Sequence, residues 1–432
     1  MDSTREWAAR DRAHLWHPFT QHDEWEKEEM IVVDRAEGVE LIDVDGRRFL
    51  DGVSSLWCNV HGHRHPTIDA AVRAQLDKIA HSTQLGLGNT APIRLAERLA
   101  ALTGYPRVFY SDSGSTAVEV ALKMAFQAQQ QRGEHRRTRF AALAEAYHGD
   151  TIGSVSVGGI SLFHAVYRPM LFEAVRIPSP DRPADEDGLL AGAARAFAEH
   201  GPELAAFVFE PLVQGAAGMR THSPAFLAEL CRMAREAGAL LIADEVATGF
   251  GRTGTMFAIE QTEVHPDFLC VAKGLTGGYL PLAATMVTEE VFAAFRGPYT
   301  EYRTLFHGHT YTGNPLACAA ALGSLAVFEQ ERVIASLAPK IAALTKGLHA
   351  IHHPAVREVR QVGLMAALVL GDFPADARIG HRVALRCRDY GVILRNLGDA
   401  VVMMPPLAMT EPQLLRVTDA LARAIADTVP RG

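Results

Sequence analysis

Three short stretches place reactive side chains directly after apolar runs. Val108-Phe109-Tyr110 is followed by Ser111-Asp112-Ser113-Gly114-Ser115-Thr116 and a helical pattern. Small residues with free backbone N–H groups at a helix N-terminus suit a phosphate, although the same residues read alone make an ordinary Ser/Thr cap. Leu240-Leu241-Ile242-Ala243 ends in Asp244-Glu245 and leads into Gly249-Phe250-Gly251-Arg252-Thr253-Gly254. A carboxylate ending a buried strand is costly unless a cation or hydrogen-bond donors meet it. For an isolated Asp, an N-cap or an ion pair with Arg252 is the ordinary explanation. Phe268-Leu269-Cys270-Val271-Ala272 ends in Lys273, followed by Gly274-Leu275-Thr276-Gly277-Gly278. A single lysine usually snorkels to water, but one placed directly after such a run cannot do so easily, and the glycines leave room for a ligand.

A phosphate cradle, a carboxylate and a desolvated amine at strand ends, the last two 29 residues apart, are the parts that pyridoxal 5'-phosphate requires. The lysine forms the Schiff base, and the carboxylate keeps the pyridine nitrogen protonated so that the ring accepts carbanion electrons. The spacing His61-Gly62-His63-Arg64-His65 could be taken for a metal site. No Cys or carboxylate lies in helical register with it, so no metal is expected.

The elements that must hold these residues follow from the patterning. From residue 101 to 287, short apolar runs alternate with helical stretches: 107–110, 116–130, 140–144, 204–209, 224–237, 239–243 and 268–272. This alternation predicts βα units on a parallel sheet, with the consecutive apolar residues of strands covered on both faces. Ligands on such sheets bind beyond the carboxyl ends of the strands. The stretch Pro178 to Gly188 reads as a surface connection. Residues 39–44 and 47–50 around Asp45-Gly46 predict a hairpin. Helical patterns over 319–328, 334–349, 379–390 and from Glu411, with a strand at 364–369, predict a smaller α+β lobe. Whether the hairpin joins that lobe is not decided by the pattern.

The 432 residues are 48% hydrophobic and 21% charged, with a formal net charge of −8. That composition is an ordinary globular one, long enough for more than one domain. No basic stripe marks a nucleic-acid surface, and no apolar run is long enough to span a membrane. Residues 1–12 lack the apolar core of a signal peptide. Five isolated cysteines suit reduced thiols, so a cytoplasmic location is expected.

The motifs resemble those of the class III, fold-type I aminotransferases. The resemblance runs through 14–20, 51–57, 61–63, 111–115, 147–151, Glu210-Pro211, Gln214-Gly215, 244–254, 273–278, 307–310, 313–316 and Arg395 ahead of Pro405-Pro406, nearly the whole chain. It implies a large domain with a mostly parallel seven-stranded sheet, expected at 65–325. A smaller α+β domain would come from both chain ends, 1–64 and 326–432. It implies that Lys273 is the Schiff-base lysine and proton-transfer base and that Asp244 pairs with the pyridinium nitrogen. Tyr147 would lie against the cofactor ring, and Gly114 and Ser115 would hold the phosphate. Thr310, with the backbone at His309, would reach that phosphate from the other subunit, so the active site would be shared in a homodimer. Arg395 would take a substrate carboxylate, with Phe19, Leu56, Trp57 and Gly308 as further substrate contacts. Glu210 and Arg252 lie within matching motifs, and a mutual ion pair would explain both.

Within the family the segments at 17–20 and 54–57 resemble the branch acting in biotin synthesis. Its reaction is two ping-pong half-reactions that aminate 8-amino-7-oxononanoate to 7,8-diaminononanoate. The S-adenosylmethionine-using enzymes of that branch carry Tyr where this chain has Phe19 and Trp-Trp where it has Leu56-Trp57. The chain resembles the L-lysine-using enzymes there, so lysine is the expected donor, with S-adenosylmethionine the alternative. An ω-amino acid:pyruvate or 4-aminobutyrate transaminase would keep Lys273, Asp244 and the cradle but need not have these two segments. A non-catalytic protein on the same fold would be expected to lack Lys273 or Asp244.

Overall fold

The computed structural model describes residues 3–371 and 373–429. Its large sheet has seven strands in the order Arg107–Ser111, Ala283–Val287, Phe268–Val271, Leu240–Asp244, Leu204–Phe209, Arg139–Leu143, Val175–Ile177. All run parallel except Ala283–Val287, which is antiparallel to both neighbours. The two central strands Leu204–Phe209 and Leu240–Asp244 are buried at every position, as a sheet covered on both faces demands. Their side chains divide with a period of two. Phe207, Phe209, Leu241 and Leu269 enter one core cluster, and Val208, Ile242, Phe268 and Cys270 enter the other, because successive Cβ atoms point to opposite faces. Helix Gly114–Gln131 contributes Val118, Val120 and Ala121 to the second cluster, and helix Pro224–Glu236 contributes Phe226, Leu227 and Leu230 to the first.

The hairpin joins the C-terminal lobe. Strands Val33–Glu37, Glu40–Asp43 and Arg48–Asp51 pair antiparallel, and Val392–Ile393 adds in parallel against Arg48–Asp51. At its turn Gly46 takes φ +83°, while Asp43 Oδ1 accepts the N–H groups of Asp45 and Arg47 at 3.1 and 2.8 Å. The seam is tight: the Gly52 N–H donates to the Ile393 carbonyl, and a Cβ at Gly52 would fall 2.5 Å from Leu394 Cδ2. A second four-stranded sheet, Val356–Val362, Met365–Leu370, Ala400–Met403 and Arg395–Leu397, completes this lobe beside helices Leu337–His349 and Glu411–Thr428. The expected helix over 379–390 is α-helical only over Ile379–Arg386 and tightens to a 3₁₀ turn over Cys387–Tyr390. The expected connection at 178–188 is shorter than its polarity suggested, since a helix begins at Glu186.

Candidate active site

Leu240–Asp244 and Phe268–Val271 are neighbouring parallel strands with Asp244 opposite Cys270, so their carboxyl ends open at the same edge of the sheet. There Asp244, Lys273, Gly114, Ser115, Trp57, Tyr147 and Glu210 line one cavity of about 740 Å³. Asp244 is not paired with Arg252. Its Oδ2 lies 2.7 Å from His148 Nδ1 and its Oδ1 accepts the Val246 N–H at 3.0 Å. Both side chains are buried, so with Asp244 ionised the imidazole proton sits on Nδ1 and fixes the carboxylate. His148 is a site residue that sequence reasoning passed over; only its adjacency to Tyr147 could have pointed to it.

In the segment 111–116 the ordinary Ser/Thr cap forms. Ser113 caps the 18-residue helix by accepting the Thr116 N–H, and Gly114 and Ser115 begin the helix beside it. Two glycines are demanded by close approach: a Cβ on Gly114 would fall 2.4 Å from Val246 Cγ1, and one on Gly149, at φ +114°, would lie 2.4 Å from Ser115 Cβ. Ser115 Oγ accepts the Thr151 N–H at 2.9 Å and lies 2.7 Å from Thr151 Oγ1. Thr151 thereby ties the Tyr147 loop to the cradle.

Lys273 Nζ sits 5.5 Å from the centre of the Trp57 ring. Burial holds its amine below the ordinary lysine range, and the carboxylates of Asp244 and Glu210 offset part of that. Tyr147 donates its hydroxyl to Asp150 Oδ2 at 2.8 Å and stacks on His164; burial, then that hydrogen bond, pushes its phenol up. Arg395 lies in a second cavity of about 650 Å³ with Phe19 and Phe163, which meets the first at Ala216. Burial lowers the Arg395 guanidinium, and Tyr147 is close enough to affect it. Leu56 is half exposed and, unlike Trp57, does not line the first cavity.

The ion pair expected between Glu210 and Arg252 does not form. Glu210 accepts backbone N–H groups from Tyr147 and Gly215, whereas Arg252 donates to the carbonyls of Pro405 and Asn59 at 2.5 and 2.9 Å. Burial presses Arg252 down to about 10; it is a cross-brace between segments distant in sequence. His61 is a core histidine, 3.1 Å from Ser324 Oγ and edge-on to Phe328, and burial presses it down to about 3.

Residues 22–425 match the family Aminotransferase class-III. The chain belongs to the class-III aminotransferases. Among its relatives, the adenosylmethionine-8-amino-7-oxononanoate aminotransferase of Nitratidesulfovibrio vulgaris is 54% identical, covering 98% of this chain and 82% of that protein. The enzyme of the same name from Anoxybacillus flavithermus is 45% identical over 100% of this chain and 99% of its own. The crystal structure of the Methanocaldococcus jannaschii enzyme of that name superposes with a TM-score of 0.96 at 40% identity, covering 99% of this chain and all of that one. A PLP-bound amine transaminase from an uncultivated Pseudomonas species reaches 0.90 at 36% identity, covering 96% and 98%.

As a class-III aminotransferase the protein uses pyridoxal 5'-phosphate, and the cavity fits that group. It combines a helix N-terminus bared by Gly114, a partly desolvated amine, and a buried carboxylate fixed from behind by His148. Gly308, His309 and Thr310 do not line this cavity in their own chain. Their loop passes outside it, with the Thr310 carbonyl 2.9 Å from His81 Nε2 and His307 3.2 Å from Lys123. Among the described residues no helix is long and apolar enough to cross a membrane, and no group of three or more His, Cys, Asp or Glu could hold a metal ion.

Proposed function

We propose that this aminotransferase moves an amino group onto the C7 ketone of 8-amino-7-oxononanoate, with L-lysine as the donor. The observation that carries the acceptor assignment is Arg395. It is a half-buried guanidinium with no ion pair among the described residues, placed near Tyr147 where the second cavity meets the first. An unpaired buried cation calls for an anion, and the acceptor's carboxylate lies at the end of an alkyl chain that Trp57 and Tyr147 can flank. The names of the full-length relatives support the same acceptor.

Pyridoxal phosphate, held by Gly114 and Ser115 at the phosphate and by Asp244 at the ring nitrogen, would supply the electron sink for the carbanion. The protein's part is positioning and proton transfer. The Lys273 amine, biased toward its neutral form by burial, is able to take a proton from the substrate carbon and return it. Asp244, held in place by His148, is the carboxylate that would face the ring nitrogen. Trp57 and Tyr147 exclude water from the reacting atoms. We further propose that His309 and Thr310 complete the phosphate site of a partner copy in a homodimer. The exposed Leu85, Leu87, Phe306 and Tyr311 suit such an interface. The five free cysteines fit a reducing cytoplasm.

Phe19 has no hydroxyl, and Leu56 offers no indole face to a sulfonium donor; these residues favour lysine. The test supplies purified holoenzyme with 8-amino-7-oxononanoate and each donor separately, reading 7,8-diaminononanoate. Turnover with lysine is expected. Turnover with S-adenosylmethionine but none with lysine overturns the donor, and no product with either overturns the acceptor.

A further inference from the structure

The strand Leu204–Phe209 delivers Glu210 into the wall of the cavity, where it is 5% exposed. Its two carboxylate oxygens serve two different segments. Oε1 accepts the Tyr147 N–H at 3.1 Å, and Oε2 accepts the Gly215 N–H at 3.0 Å. Its backbone carbonyl lies 3.1 Å from His222 Nε2, which fixes the residue from behind. Tyr147 is one wall of the cavity. Gly215 abuts another lining residue, since a Cβ there would lie 3.3 Å from Trp57 Cζ3, and Trp57 is the ring beside Lys273. No cation lies at ion-pair distance from Glu210 among the described residues; the titratable groups facing it are His148, Asp244 and Lys273. Burial pushes the Glu210 carboxyl up to about 7, and without a counter-ion its ionised form is held by these two directed hydrogen bonds.

We propose that Glu210 is a positioning residue that sets the width of the slot between Tyr147 and Trp57, holding each wall through one carboxylate oxygen. This deepens the proposed function, whose Tyr147 and Trp57 walls it presupposes. Only a carboxylate can satisfy both N–H donors here. In Glu210→Gln one carbonyl oxygen takes one N–H, and the amide N–H₂ is turned against the other. Glutamine therefore frees one wall while leaving the volume unchanged.

The test compares pyridoxal-phosphate-loaded wild-type enzyme with Glu210→Gln and, from the opposite side of the same strut, Gly215→Ala. The latter presses on Trp57 and keeps the Glu210 carboxylate. Both variants are expected to raise KM for 8-amino-7-oxononanoate by about tenfold, with kcat changed by less than about threefold. The double variant is expected to fall short of the product of the two effects, because both act on one strut. KM within about twofold of wild type in both single variants overturns the proposal. Crystal structures of the loaded variants give a readout independent of substrate. Tyr147 and Gly215 both unmoved in Glu210→Gln would overturn the assignment, whereas an inactive wild type with the walls displaced in the variant would count against the substrate reading alone. Should Glu210→Gln not fold, Glu210→Asp, which keeps both acceptor oxygens but withdraws them by one methylene, takes its place in the kinetic test and is expected to raise KM likewise.

Discussion

Burial gives the ionisable groups of this protein opposite biases, and the signs can be worked out group by group. The Glu245 carboxyl accepts from Thr248 Oγ1 and the Ile259 N–H, and burial pushes it up to about 7. A raised acid contributes stability that is complete below its unfolded value, 4.5, and is lost as pH rises through about 7. His222 is pushed down to about 4 by burial. A depressed base contributes stability that is complete above its unfolded value, 6.5, and is lost as pH falls through about 4. Each shift corresponds to something on the order of 3 kcal/mol, so between about pH 4.5 and 6.5 these two contributions oppose each other. In His222→Gln, whose amide can still donate to the Glu210 carbonyl, the opposition is removed. Its melting temperature is expected to fall from pH 5 to pH 8 more steeply than the wild type's. Thermal denaturation at steps of half a pH unit reads this, and parallel profiles for the two proteins would contradict it. None of these partners could be read from the sequence. Lys273 and Asp244 stood out because each ends an apolar run, but the ring that fixes Asp244 comes from a loop 96 residues away.

At the scale of elements, the cradle depends on how closely helix Gly114–Gln131 approaches the loop after Asp244. A methyl group on Gly114 would fall within 2.4 and 3.0 Å of the two Val246 methyls. Val246 is β-branched and cannot swing clear cheaply, so the first helical turn must retreat. Gly114→Ala is expected to cost about 1–3 kcal/mol of stability and to weaken pyridoxal phosphate binding by about tenfold or more. Titration of the apoenzyme with the cofactor, followed by absorbance near 400 nm, checks it; unchanged affinity would mean that the phosphate is held elsewhere. The long buried strands and the helices with caps were legible because they have strong periods. Val175–Ile177 was not, being three residues long, and Ala283–Val287 has two alanines and a threonine in place of a marked apolar run. The single antiparallel strand of the sheet is therefore invisible to a reading of alternating βα units.

For the molecule as a whole, the loop carrying His309 and Thr310 lies outside the cavity of its own chain, so its proposed role can only be exercised on a partner. This makes a complementation experiment decisive. Lys273→Ala and Thr310→Ala homodimers are each expected to be impaired. In a mixed dimer, one of the two sites combines an intact Lys273 with an intact Thr310. Co-expression with separable tags should recover activity well above that of either parent, and no recovery in verified heterodimers would place Thr310 outside the phosphate site.

The sequence by itself was enough to establish the α/β core, the three strand ends and the cofactor, because these depend on local patterns: apolar runs, a cap, an acid and an amine at fixed places. Tertiary structure alone decided that Arg252 braces carbonyls of Asn59 and Pro405 instead of meeting Asp244 or Glu210. It also decided that His148 holds Asp244 and that the N-terminal hairpin shares a sheet with Val392–Ile393. Those pairings join residues from 96 to more than 340 positions apart. A buried charge takes whichever partner the packed chain brings within about 3 Å, and no period in the sequence encodes that proximity.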